Sequence, residues 1–200
     1  MTNDKSYREG YRDGLNFAVI MAKIHGGNQK LLESLQKEMD QNSNENLVKL
    51  NYGESYLIFE KGNKNGMSIA SKIATSGKPL VLITRDARNN LKSIQNVKTV
   101  LISYDETQDG LNPGELSKIQ DYVLKDLENK TVVYMDCIDY FLSVSSSPQM
   151  VFKLVGLLKD RIAKMNGIFI LSLNREALEK NHASLIEKEF RNIIKTKRED

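Results

Sequence analysis

The sequence predicts a doubly wound α/β domain, a parallel sheet of about five strands in a three-layer arrangement, with a helical N-terminal extension. Three observations predict it. From residue 55 onward, five short apolar runs are each continuous rather than alternating, as in strands buried on both faces. Segments with apolar residues every three or four positions separate these runs. Before Tyr52 only the helical period is present.

The extension covers residues 1–39. Tyr7, Tyr11, Leu15, Ala18, Met21 and Ile24 form one helical stripe, "HGGN" interrupts it, and "QKLLESLQKEM" resumes it. In "YREGYRDG" an aromatic and a glycine each recur four residues on, so Gly10 and Gly14 share a face that a second helix can approach closely. Tyr7, Gly10, Tyr11 and Gly14 are therefore the candidate contacts for a protein partner or a second copy; the plainer account is that the glycines only weaken a short helix. Residues 40–51 read as a linker, opening with the polar run "DQNSNEN".

The α/β domain is expected over residues 52–195, with 196–200 a frayed tail. Its strands are predicted at "SYLIF" (55–59), "PLVLIT" (79–84), "TVLIS" (99–103), "TVVYM" (131–135) and "GIFILSL" (167–173). The helices between them are marked by Ile69, Ile73 and Ala74, then by Leu116, Ile119, Val123 and Leu127, then by Val151, Leu154, Val155, Leu158 and Ile162. Pro113 and Pro148 sit near helix starts, and Asn174 is placed to cap a last helix in "REALEKNHASLIEKEFRNI". Ligands of such sheets bind beyond the carboxyl ends of the strands, so the loops there carry the functional question.

The loop after the first strand, in "YLIFEKGNKNGMSIASKIA", has the strand, glycine loop and helix order that holds a phosphate. Set against G-x-x-x-x-G-K-[ST], Gly66 takes the second glycine and Ser68 the hydroxyl, while Lys61 stands at the first glycine and Met67 at the lysine. Gly62 is one place late, and Lys64 is the available substitute cation. Gly62, Lys64, Gly66 and Ser68 are thus the candidate nucleotide contacts of an eroded loop; a turn that needs glycine only for its backbone angles is the preferred account. Asp136, at the end of "TVVYM", is the candidate magnesium ligand, with Asp139 three residues on and Cys137 where an acidic residue would orient a water. No cofactor is expected; ATP and magnesium are the candidates if the loop works.

Residues 52 to 192 resemble the archaeal family known as domain of unknown function 835, through "SYLIFE", "LVLITR", "VVYMDCIDYFL" and "ILSLNREALEKNHASLIEKEF" in that order. That family is similar in layout to the RecA and KaiC class of phosphate-loop ATPases with the lysine-bearing motif eroded. The resemblance implies a RecA-like fold and a setting among archaeal regulatory proteins, without an established activity.

Composition narrows the remaining classes. The 200 residues are 40% apolar and 28% charged with a net charge of +3, and the basic residues are interspersed with acidic ones, so a nucleic-acid partner is not expected. The run "FAVIMA" is too short to span a bilayer, and the cytoplasm is the expected compartment. The lone Cys137 fits a core position better than a nucleophile. His25 and His182 have no metal-ligand spacing, and Ser145 to Ser147 no nucleophile elbow. Arg85 and Arg88, just past the second strand, could meet an anion or a partner's carboxylate, though a solvated loop accounts for them more simply. The favoured function is a non-catalytic regulatory or scaffolding module acting through protein contacts. The alternative is an ATP-binding protein or slow ATPase; nucleic-acid binding is weaker still.

Overall fold

The computed structural model describes residues 14–15, 17–20, 50–62, 64–86, 90–105, 110–125 and 127–195. Six strands, β1 (Ser55–Phe59), β2 (Leu80–Thr84), β3 (Val97–Leu101), β4 (Val132–Met135), β5 (Ile168–Leu173) and β6 (Asn192–Lys195), form one sheet. They lie in the order β3-β2-β4-β5-β1-β6 and every pair is parallel.

Alternation along each buried strand divides the core in two. Leu57, Val81, Ile83, Val133, Met135, Phe169 and Leu171 face one side, and Tyr56, Ile58, Leu80, Leu82, Tyr134 and Ile170 the other. The first face is covered by α2 (Leu116–Lys125), α3 (Ile138–Val144), α4 (Pro148–Lys164) and α5 (Lys180–Glu189), whose Ile119, Val123, Phe141, Leu154, Leu158 and Ile186 are buried against it. The second is covered by α1 (Lys64–Thr75) through Ala70, Ile73 and Ala74, by Leu91 and Ile94 in and after a 3-10 turn, and by Ile20 of the extension. Residues 14–15 and 17–20 are helical, with Leu15, Val19 and Ile20 buried.

The sixth strand was not expected. The stretch read as a single helix from Arg175 is a 3-10 turn at Arg175–Ala177, then α5, then β6, whose Ile193 and Ile194 lie beside Leu57 and Ile58. Asn174 does cap, but caps that turn: its side chain accepts from the Glu176 amide. The β-branched pair gains more by completing the sheet than by prolonging a helix whose exposed end would leave both in water. β3 starts two residues earlier than its apolar run, and Leu127 falls beyond the end of α2.

Candidate functional site

The carboxyl end of β1 leads through Glu60, Lys61 and Gly62 into α1. Gly62 has φ 83°, the left-handed turn conformation that glycine adopts freely. Lys61 pairs with Glu176 at 3.2 Å across the surface, both side chains well exposed, so this contact adds little stability.

Glu60 turns inward and is only 7% exposed. Its Oε2 accepts from the Asn65 amide at 2.6 Å and its Oε1 from the Gly66 amide at 2.9 Å. Ser172, in the neighbouring strand β5, donates its hydroxyl to the same Oε1 at 2.6 Å. The first amides of a helix have no partner within the helix and carry the positive end of its dipole, so they attract an anion. Here the anion is the chain's own carboxylate. Met67, at the place of the phosphate-binding lysine, is partly buried and packs against the core face beneath α1. Ser68 is partly buried one residue further along the helix.

Gly66 is required by crowding. A Cβ there would stand 2.6 Å from Tyr134 Oη and 2.7 Å from Glu60 Oε1. Tyr134 projects from β4 on the same face as α1 because of strand alternation, and it is wholly buried. Its hydroxyl has no hydrogen-bond partner; Ser172 lies beside it but donates to Glu60. Burial, with the charges of Asp136 and Glu60 added, pushes the phenol well above its ordinary range.

Asp136 follows the last residue of β4 and is 8% exposed. Thr84, at the end of β2, donates its hydroxyl to Asp136 Oδ2 at 3.1 Å and accepts from the Asp86 amide at 3.1 Å. Burial raises the carboxyl pKa from 3.8 to about 7; the Thr84 bond opposes this, and the charges of Asp139, Asp86 and Glu60 reinforce it. A carboxyl whose proton affinity is raised in this way is a weaker magnesium ligand, because the proton competes with the metal. Among the described residues no three His, Cys, Asp or Glu side chains are grouped to hold a metal ion.

The remaining candidates separate from this site. Cys137 is buried with its thiol pKa pushed up, and its sulfur lies 3.7 Å from the Ile83 carbonyl. Asp139 accepts from the Tyr140 amide in the first turn of α3. His182 packs edge-on to Phe152 with ring centroids 5.6 Å apart. Gly14 is exposed, and a Cβ on it would meet nothing within 4 Å. Lys64 opens α1. Tyr7, Gly10, Tyr11, His25, Arg88 and residues 40–49 of the expected linker lie outside the described residues. Glu60, Thr84, Tyr134 and Ser172 carry the site, and sequence reasoning missed all four. The one available signal was an acidic residue standing directly between strand β1 and the glycine loop.

The family described as "Protein of unknown function (DUF835)" matches residues 58–190. The chain belongs to this family. The match takes in every residue of the DUF835 site, from Glu60 to Ser172. Among solved structures, a protein of Pyrococcus horikoshii OT3 from a structural study is 12% identical, with a TM-score of 0.53 over 72% of this chain and 82% of its own. The flagellar accessory protein FlaH of Methanocaldococcus jannaschii is 13% identical, with a TM-score of 0.51 over 74% of this chain and 73% of its own. At such identities the likeness is one of fold, and the DUF835 chain has a RecA-like, phosphate-loop-type fold. No curated protein matches the sequence. No helix among the described residues is long and apolar enough to cross a membrane.

Proposed function

We propose that this DUF835 protein is a non-catalytic regulatory or scaffolding module, built on a phosphate-loop fold and acting through protein contacts. The observation that carries the reading is Glu60. Its carboxylate already takes two of the amides that a phosphate would need. A phosphate entering beside it would bring like charge against a largely buried carboxylate, where repulsion is less screened than in open water. With Met67 in place of the lysine, nothing at that position offsets the charge that develops on a transferring phosphoryl group. The residues present therefore do not fit a triphosphate.

The contacts are assigned to the helical extension, with Tyr7, Gly10, Tyr11 and Gly14 as its candidate face. Support comes from Gly14 itself, whose exposed backbone has open space above it. The cytoplasm remains the proposed compartment. Measurement of phosphate release from magnesium-ATP tests the non-catalytic reading. The expected rate is that of buffer alone; turnover that is lost on Asp136→Ala would establish the slow-ATPase alternative instead.

A further inference from the structure

Three neighbouring strands end in a second feature of the same sheet edge. Arg85 follows β2, Tyr104 lies just past β3, and Tyr140 is in the first turn of α3 after β4. The Arg85 guanidinium lies 3.5 Å from the centroid of the Tyr140 ring. Tyr104 meets that ring edge-on, with centroids 6.5 Å apart, and is itself 55% exposed. Arg85 is exposed and makes no hydrogen bond or ion pair among the described residues. Stacking on an aromatic face orients the guanidinium and lowers the entropy lost when its N–H fork engages an acceptor.

We propose that Arg85, Tyr140 and Tyr104 form a protein-docking surface that takes a polypeptide segment presenting one Asp or Glu carboxylate beside an aromatic or aliphatic side chain. The inference rests on the protein-contact reading above and gives it a second contact chemistry. The Arg85 fork itself selects the carboxylate: its planar N–H pair, without an ion-pair partner among the described residues, matches the two oxygens of one carboxylate. The surroundings disfavour a polyphosphate, because Asp86 and Asp139 stand at this edge with Asp136, and their charges add to the effect of burial in raising the proton affinity of Asp136. A single charge meets that repulsion once, whereas a triphosphate meets it several times over. The exposed Tyr104 ring supplies the apolar half, and Tyr and Arg are both enriched among the residues that carry protein-interface energy. The patch runs across three adjacent strands, roughly 10 Å, which suits an extended polypeptide.

The test follows the Arg85 Nε–H and Tyr104 ring resonances of the full chain during titration with acetyl-Gly-Phe-Glu-Gly-amide and with its Gln counterpart. The Glu peptide is expected to shift both resonances saturably and to bind at least about tenfold more tightly than the Gln peptide. Arg85→Gln should erase that preference. Arg85→Lys should retain only part of it, since an ammonium is neither forked nor planar. Equal affinity for the two peptides, no binding of either, or a preference that survives Arg85→Gln would overturn the proposal. ATP that displaces the Glu peptide from Arg85 would also overturn it. ATP that binds without disturbing Arg85 leaves this surface standing and overturns the non-catalytic reading instead.

Discussion

The Gly66 amide donates to Glu60 Oε1 at 2.9 Å, so the glycine at the second-glycine place of the candidate phosphate loop is hydrogen-bonded to a carboxylate from six residues earlier in the same chain. The Asn65 amide and the Ser172 hydroxyl converge on the same side chain. Glu60→Ala should leave all three donors without their acceptor and should lower the unfolding free energy by about 1–3 kcal/mol. Glu60→Gln, which keeps one oxygen as an acceptor, should cost less. Urea denaturation measures both, and an Ala variant as stable as the parent would show that this carboxylate holds nothing together.

Gly66→Ala tests the crowding. The new methyl would press on Tyr134 Oη and Glu60 Oε1, and overpacking of this kind typically costs about 1–3 kcal/mol. Tyr134→Phe removes a buried hydroxyl that has no partner and should be neutral or stabilising on its own. It should also recover part of the Gly66→Ala loss, because one of the two clashing oxygens is gone. Thermal melts of both single variants and the double variant give the coupling; strict additivity would place the strain elsewhere.

Asp136 makes stability depend on pH. Its pKa is raised from 3.8 to about 7 in the folded chain, so the native state holds this proton more tightly than the unfolded one. The corresponding stability is complete below about pH 4 and is lost as pH rises through about 7, an effect on the order of 4 kcal/mol. Asp136→Asn keeps an acceptor for Thr84 and carries no charge. It should melt higher than the parent at pH 8 and lose less stability between pH 5 and pH 8. A variant that melts lower at pH 8 would mean that the ionised carboxylate is favoured by its surroundings.

The strand interiors were legible in the sequence because continuous apolar runs such as "PLVLIT" and "TVVYM" permit burial on both faces. Pro148 and the period from Val151 to Ile162 located α4 for equally local reasons. β6 was not legible, since a four-residue edge strand is defined by its neighbour β1 and carries no period of its own. The site shows the same division. Asp136 could be placed at a strand end from its own run, but the Glu60 contact to Ser172 spans 112 positions and leaves no local mark. Gly66 was noticed for its spacing to a phosphate motif, whereas its need for glycine arises from Tyr134 in a distant strand.

Gly14 is exposed while Ile20 of the same segment packs on the α/β core, so the glycine face can be tested without removing that packing. Gly14 is helical, with open space where a Cβ would be. Gly14→Ala should therefore stabilise the helix by up to about 1 kcal/mol. Replacing both Gly10 and Gly14 with leucine should abolish self-association or partner capture while the α/β domain still melts cooperatively, as read by sedimentation and circular dichroism. Unchanged mass and unchanged capture would leave the two glycines as helix-weakening residues only.

Calorimetric titration of the unmodified protein with ATP in the presence of magnesium tests the central claim most directly. With Glu60 seated on the Asn65 and Gly66 amides and Met67 in the lysine position, no saturable heat is predicted up to roughly 1 mM ATP, a ceiling of about 4 kcal/mol of binding free energy. Saturable, magnesium-dependent binding in the micromolar range would contradict the account and make the chain an ATP-binding protein.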